Sequence, residues 1–188
     1  MKRCVIALGV VSLLVFGTIG VASAYWKEPW RWSTTSVTYD KHTLSSAWAS
    51  AVWSGAFQWN AVTPSPFTWS AGTSGSNDVV LGAIDGKYGT FATTWIQCGA
   101  FDTEIDWIVI TFDNGETWYT DGGVPGSNQL DAIGVAAHEF GHGLGLGHTQ
   151  FWNCSSPKAT MCSSYDYGVT YFRNLENDDK AGLNSKYP

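Results

Sequence analysis

The sequence has few basic residues. Lysine and arginine together number 10 against 16 aspartates and glutamates, which gives a formal net charge of −6 at pH 7. Such a balance argues against nucleic acid and anionic membrane surfaces as partners, because both are negatively charged. Charged residues make up only 14% of the chain, whereas 11 residues are tryptophan. This composition favours a compact extracellular domain.

Residues 1–24 are typical of a secretory signal peptide. Lys2 and Arg3 precede a long apolar run, which ends at the small residues Ala22-Ser23-Ala24, a pattern expected at a cleavage site. The alternative is an uncleaved membrane anchor, since the apolar run approaches the length that spans a bilayer. Cleavage would remove the two basic residues, change the net charge from −6 to about −8, and leave 25–188 as a single domain without membrane attachment.

Cysteine is scarce as well. Three of the four cysteines lie after the predicted cleavage site, at Cys98, Cys154 and Cys162. An oxidising compartment permits pairing, and a bond between Cys154 and Cys162 would close a short loop. Cys98 would then be left over. The sequence also leaves open a bond between Cys98 and either of the other two.

Histidine is rare, with four in the chain, yet three of them fall within the eleven residues HEFGHGLGLGH. On a helix, His138 and His142 project from one face and can bind one metal ion about 2 Å away. A straight helix would carry His148 about 15 Å beyond His138. Gly145 can adopt the left-handed conformation that ends a helix and lets the chain turn back. The spacing therefore predicts a zinc site with three protein ligands and one open position.

Glu139 is the predicted catalytic residue. It is offset from the ligand face of the helix, but it is close enough to hydrogen-bond a zinc-bound water. Such a water has a pKa of roughly 7, and a neighbouring carboxylate can take its proton as the oxygen attacks a carbonyl carbon. The pattern thus predicts metal-assisted amide hydrolysis. The alternative, a surface helix that carries histidines by chance, would have to match five fixed positions.

The motif resembles the metzincin signature, HExxHxxGxxH followed downstream by a methionine in a tight turn. Met161 in Ala159-Thr160-Met161-Cys162 corresponds to that methionine, and Thr149 is closest to the Ser or Thr that matrixins have after the third histidine. The resemblance implies an α+β fold of the three-layer α/β type. Its expected parts are a twisted, mixed five-stranded sheet with one antiparallel edge strand, two main helices, and a C-terminal subdomain with the methionine turn and a terminal helix.

The same resemblance implies substrate-binding residues. Residues 89–95 are similar to the matrixin edge strand over the active-site cleft, so the backbone of Phe91 and Ala92 would pair with an extended polypeptide. An ordinary edge strand without a ligand is the alternative. Ser163 and Tyr165 correspond to the wall of the main matrixin specificity pocket, although matrixins usually have proline in place of Ser163.

The C-terminal helix offers a further correspondence. Asp178 and Asp179 resemble the paired aspartates that brace the methionine turn of matrixins from behind. Two solvated acids near a helix start, where the helix dipole favours them, are the competing interpretation.

The resemblance also bears on other cofactors and on latency. Thr93 occupies the position where matrixins commonly have a histidine for a second, structural zinc, which argues against that ion. Calcium is left open, since several acidic residues could bind it without forming a regular calcium loop: Asp78, Asp102, Glu104, Asp106 and Asp121. We expect a monomer, without the usual prodomain and without a latency cysteine ahead of Arg31.

Apolar periodicity predicts strands at 37–39, 78–82, 90–96 and 105–112, and helices at 44–60 and 175–183. Asn128, with Asp131 three residues on, is predicted to cap the zinc-site helix. The function predicted for the whole is a secreted zinc endopeptidase that cleaves extended polypeptides. The alternative is an extracellular zinc-containing module that binds a wall polymer or glycan through its tryptophans.

Overall fold

The structure is a computed structural model that describes residues 26–99, 103–149, 154 and 159–188. The signal peptide predicted for residues 1–24 lies outside these ranges, and so does Asp102 of the acidic set. Within the ranges, none of the helices combines the length and the apolar character needed to cross a membrane.

A five-stranded sheet forms the centre of the fold. Its strands are β1 (Ser36–Asp40), β2 (Thr68–Gly72), β3 (Asp78–Gly82), β4 (Ala92–Cys98) and β5 (Ile105–Asp113). The spatial order is β2-β1-β3-β5-β4. The first four strands in this order are parallel, and β4 runs antiparallel to β5 at the edge. The predicted mixed sheet with one antiparallel edge strand is confirmed.

One face of the sheet is buried and the other faces outward. Along β5, Ile108, Ile110 and Phe112 are completely buried, whereas Trp107, just before them, is 37% exposed. Successive side chains of a strand point to opposite faces, so this alternation identifies the inner face. Trp95 on β4 lies on the outer side with Trp107 and is 48% exposed.

Two helices cover the inner face. Helix α1 (Ser46–Asn60) begins at Ser45, whose side chain accepts a hydrogen bond from the Trp48 N–H, and it packs against α2 (Ala132–Gly143). The indole Nε1 of Trp59 donates to the Ala137 carbonyl over 2.8 Å, so the two helices are joined by a buried polar contact as well as by apolar packing.

Strand β2 was not predicted from the sequence. Of its five side chains only Trp69 is buried, so the strand has a weak apolar pattern. Its position is set by Asn60 at the end of α1. The Asn60 side chain accepts from the Trp69 N–H at 2.7 Å and donates to the Trp69 carbonyl at 2.9 Å. The Asn60 side chain therefore joins β2 to the end of α1, and pairing with β1 aligns the whole strand.

The predicted cap of α2 at Asn128 is wrong. The helix begins at Ala132, and the Asp131 carboxylate accepts from the Gly134 N–H at 3.0 Å. The reason is a short parallel pairing between β6 (Trp118–Tyr119) and β7 (Leu130–Asp131), which keeps the chain extended up to the cap.

The chain closes with a 3₁₀ turn (Tyr171–Arg173) and helix α3 (Asn177–Lys186). Glu176 and Asp179 form a capping box at the start of α3.

A disulfide joins Cys154 to Cys162. Cys98 is buried at the end of β4.

Candidate metal centre

The structure brings His138, His142 and His148 together at one point. The Nε2 atom of His142 lies 3.0 Å from that of His138 and 3.2 Å from that of His148, and the third separation is 3.3 Å. A tetrahedral zinc with bonds of about 2.0 Å to nitrogen separates its ligands by roughly 3.3 Å. The three nitrogens therefore fit a zinc ion. Among the described residues, no other group of three or more His, Cys, Asp or Glu side chains has the proximity needed to hold a metal.

The outward nitrogens of two ligands are held by backbone carbonyls. His138 Nδ1 donates to the Thr160 carbonyl at 2.7 Å, and His142 Nδ1 donates to the Leu146 carbonyl at 2.8 Å. These bonds fix the tautomer in which each Nε2 presents its lone pair to a metal. Burial lowers the pKa of His142 to about 3 and that of His138 well below its ordinary value. Both rings are thus neutral, as metal binding requires.

Helix α2 ends in a turn that returns the chain to its own ligands. Gly145 has a φ of +80°, its N–H donates to the His142 carbonyl at 2.7 Å, and the Leu146 N–H donates to the Gly141 carbonyl at 3.1 Å. This pair of bonds is the Schellman arrangement. A Cβ at position 145 would collide with the Trp30 carbonyl and the Lys186 side chain. The turn that delivers His148 therefore requires glycine.

The carbonyls left at this helix end receive donors from remote segments. Lys186 Nζ donates to the Gly145 carbonyl at 2.9 Å and to the Glu28 carbonyl at 2.7 Å, and Tyr187 Oη donates to the Leu144 carbonyl at 3.1 Å. Lys186 is only 7% exposed, and burial lowers its pKa to about 8. Residues 26–28 also pair with residues 145–148, here called the zinc loop, since the Gly147 N–H donates to the Trp26 carbonyl at 2.8 Å.

The methionine turn is supported from below by α3. Asp179 accepts from the Thr160 N–H at 2.8 Å and from the Met161 N–H at 3.0 Å. Asp179 is completely buried, so the interpretation of a solvated acid does not hold for it. Asp178 accepts from the Thr149 hydroxyl. The Met161 side chain is buried against Gly141, which lies between the two helical histidines and leaves room for the sulfur.

Glu139 lies beside the histidines and is 5% exposed. Its Oε2 accepts from the Thr94 hydroxyl at 2.6 Å. Burial raises the pKa of Glu139 to about 7, against the opposing effect of the Thr94 hydrogen bond. A carboxyl group with a pKa near neutrality can both accept and release a proton at physiological pH.

The histidines and Glu139 line a cavity of about 780 Å³. Phe91 and Ala92 line it on the side of β4, and Ser163 and Tyr165 line it on the side of the methionine turn. The structure therefore brings the predicted substrate-binding residues to the same cavity as the metal site. Other lining residues were not predicted, because no local motif indicates them: Trp26, Glu28, Thr94, Val135 and Phe172.

The edge strand does not expose the two predicted residues equally. The Phe91 carbonyl accepts from the Asp113 N–H at 2.9 Å, so it is engaged with the neighbouring strand. Backbone groups of successive residues in an antiparallel ladder point alternately toward and away from the partner strand. Ala92 follows Phe91 and pairs with Phe112 in the register, which directs its N–H and C=O to the open edge.

The loop of residues 84–91, here called the rim loop, is held by carboxylates. Asp113 accepts from the N–H groups of Asp85 and Gly86 at 3.2 and 2.7 Å, and backbone hydrogen bonds of this kind hold its pKa below the usual value. Glu116 accepts from the Tyr88 N–H at 2.5 Å and from the Tyr167 hydroxyl at 2.8 Å. The loop is thus tied to the end of β5.

Tyr165 stands at the opposite side of the cavity. Its ring packs on Phe172 with centroids 4.5 Å apart, and its hydroxyl lies 3.4 Å from the Val169 carbonyl. Behind it, Arg173 makes a two-pronged ion pair with Asp131, with N–O distances of 2.8 and 2.6 Å. The wall is therefore anchored to the residue that caps α2.

The family model of the matrixins, a group of M10 peptidases, matches residues 29–188. The chain belongs to the matrixin family. The match covers both main helices, the whole sheet and the methionine turn, so the resemblance that was inferred from the HExxHxxGxxH motif is confirmed over nearly the entire described chain.

This matrixin is similar to several curated proteins. It is 29% identical to human matrix metalloproteinase-20 over 167 residues, which are 82% of this chain and 29% of that protein. It is 46% identical to the hatching enzyme of Paracentrotus lividus over 76 residues, covering 40% of this chain and 11% of the relative. It is 41% identical to human matrilysin over 76 residues, which are 40% of this chain and 25% of matrilysin. The matched region is less than a third of the length of each of these relatives.

Proposed function

We propose that this matrixin is a zinc-dependent endopeptidase that hydrolyses peptide bonds of extended polypeptides. The observation that carries the proposal is the convergence of three imidazole Nε2 atoms with the buried carboxylate of Glu139 in one open cavity. A zinc ion held by the histidines would lower the pKa of a bound water and polarise the carbonyl of the scissile bond. The metalloproteinases and matrilysin among its relatives support this assignment.

Glu139 has the role of general base in this proposal. Its carboxylate accepts a proton from the attacking water and then delivers it to the leaving amine, which leaves as a neutral group. Glu139 is buried and lines the same cavity as the three histidines, so both transfers would take place within that cavity.

The substrate class is inferred from the shape of the cavity. One side is the open edge of β4 at Ala92, where an extended peptide can add as a further strand. The opposite side carries Tyr165 and Phe172, which can accept a side chain of that peptide. Peptides in extended conformation, rather than helical segments, therefore fit the site.

We further propose that the protein is exported, with residues 1–24 as a cleaved signal peptide. The Cys154–Cys162 disulfide supports this, because disulfides persist in oxidising compartments. N-terminal sequencing of protein recovered from the medium tests the proposal, and recovery of an intact N-terminus in the membrane fraction would contradict it.

Hydrolysis of casein and of a mixed peptide library tests the enzymatic proposal. The mature protein, with and without a zinc chelator, is compared with Glu139→Ala and with Asp106→Ala, which removes an exposed carboxylate outside the cavity. Glu139→Ala should keep one zinc per chain and lose about a hundredfold to ten-thousandfold in kcat, whereas Asp106→Ala should match the wild type. Activity retained by Glu139→Ala would rule out the assigned mechanism. Zinc-loaded wild-type protein without any cleavage would favour the binding module.

A further inference from the structure

Thr94 makes the hydrogen bond that orders the Glu139 carboxylate. It lies in the middle of β4, and its side chain points to the helical face of the sheet. Thr94 Oγ1 is 2.6 Å from Glu139 Oε2 and 3.1 Å from the Glu139 backbone carbonyl oxygen. Within the described ranges, no second hydrogen-bond donor to this carboxylate is seen. The two residues are 45 positions apart in the sequence.

The geometry divides the two oxygens of the carboxylate between two tasks. A hydroxyl has one hydrogen, and the shorter of the two distances, 2.6 Å, is the one to Oε2 rather than the one to the backbone carbonyl oxygen. Oε2 is therefore held by Thr94, which leaves Oε1 for a water in the cavity. A glutamate side chain has three rotatable bonds, so without such an anchor the carboxylate would sample orientations that do not face the water.

The hydroxyl itself is held firmly. Threonine is branched at Cβ and has few χ1 rotamers on a strand. Thr94 is also fixed by the ladder, where it pairs with Ile110 of β5. Ala92, which directs its backbone to the open edge, lies two residues before it on the same strand. The strand proposed to bind substrate is therefore the strand that orders the proposed base.

We propose that Thr94 is a positioning residue that sets the orientation of the Glu139 carboxylate for proton transfer. This inference rests on the proposed function, because it assigns Thr94 to the same reaction. Thr94 acts through Glu139 and does not itself touch the reacting bond.

Two substitutions separate the hydroxyl from the shape of the side chain. Thr94→Val keeps the branched shape and removes the hydroxyl, whereas Thr94→Ser keeps the hydroxyl. Thr94→Ala also removes the hydroxyl, and its smaller side chain provides a second test if valine disturbs folding. The control is Thr111→Val on β5, at a residue that pairs with Thr93 and does not line the cavity. For each variant, kcat, KM, zinc content and thermal unfolding are measured.

Thr94→Val and Thr94→Ala should lose roughly ten- to a hundredfold in kcat, the effect of removing a hydrogen bond to a charged group. KM and zinc content should stay near the wild-type values, Thr94→Ser should recover most of kcat, and Thr111→Val should be unchanged. Wild-type kcat in Thr94→Val, or an equal loss in Thr94→Ser, would overturn the inference while leaving the proposed function intact. Absence of hydrolysis in the wild type would instead overturn both.

Discussion

The floor and the rim of the cavity are built in different ways. The floor consists of α2, the zinc loop of residues 145–148, the methionine turn and α3, and its polar groups are buried with defined partners. The rim consists of the rim loop and residues 163–167, and it includes side chains such as Tyr88, which is 71% exposed. The difference suggests that the chemistry depends on rigid burial, whereas substrate preference depends on residues that can change at small cost to stability.

The largest effect that tests this difference is expected when two glycines with positive φ, one in the floor and one in the rim, are replaced. Gly145 in the floor has φ +80° and Gly86 in the rim loop has φ +86°. Alanine at either position costs about 1 to 2 kcal/mol in backbone strain. At position 145 the new Cβ would also collide with the Trp30 carbonyl and with Lys186, whereas at position 86 nothing lies within 4 Å.

Gly145→Ala should therefore lower the free energy of unfolding by about 3 kcal/mol or more, and it should weaken zinc binding as well. Gly86→Ala should lower the free energy of unfolding by only about 1 kcal/mol, and this variant should keep the zinc affinity of the wild type. Urea unfolding and zinc titration measure both quantities. Equal losses in the two variants would show that floor and rim are equally tolerant.

An intermediate effect is expected from pH, through Lys186. Its pKa in the folded protein is about 8, below the ordinary value of 10.5. Between pH 8 and 9.5 the unfolded chain therefore binds more protons at this residue, so the free energy of unfolding should rise with pH, by about 1 to 2 kcal/mol. The window ends below the ordinary tyrosine pKa of about 10.

Lys186→Met should remove most of the rise in the free energy of unfolding with pH. Lys87→Met in the rim loop should show the same dependence on pH as the wild type. Urea unfolding at a series of pH values from 7.5 to 9.5 provides the measurement. A wild-type curve that is flat or falls across this window would contradict the assigned burial of the Lys186 ammonium.

The smallest effect on stability is expected at the rim residue Tyr165. Tyr165→Phe removes only the hydroxyl, which lies 3.4 Å from the Val169 carbonyl and beside the buried Asp131 carboxylate, and keeps the ring on Phe172. The free energy of unfolding should change by less than about 1 kcal/mol, and the zinc content should be unchanged. The order of preferred cleavage sites in a peptide library should shift, because the polarity of the pocket wall has changed.

Tyr88→Phe, which changes an exposed hydroxyl outside the cavity lining, serves as the control for Tyr165. Tyr165→Ala extends the test by removing the ring. If the preferred cleavage sites were the same in wild type, Tyr165→Phe and Tyr165→Ala, Tyr165 would have no part in the pocket wall.

The sequence predicted those features whose information is local. The His138–His148 segment carries its own ligand spacing and its own helix terminator, and β5 carries a long β-branched apolar run. Such patterns are set by residues within one or two turns or along one strand, so they can be read without the rest of the chain.

Features that depend on distant partners were missed. Strand β2 is aligned by its pairing with β1, and the start of α2 is delayed by the pairing of Leu130–Asp131 with Trp118–Tyr119. The hydrogen bond from Thr94 to Glu139 joins a strand to a helix 45 residues later, and threonine is an ordinary residue for a strand. No local pattern distinguishes Thr94 from Thr93 or Thr111.

The donors at the end of α2 have a consequence for biosynthesis. A ribosome adds Lys186 and Tyr187 some forty residues after the carbonyls they satisfy, as the sequence separations of 41 and 43 show. Until those residues emerge, the Leu144 carbonyl lacks its buried hydroxyl donor and the Gly145 carbonyl has only the Glu28 N–H, and an unsatisfied buried carbonyl is costly. The nascent chain thus carries the complete hydrolytic motif long before it can hold that motif in its final shape. We expect a chain stopped shortly after Met161 to contain every zinc ligand and to bind zinc weakly.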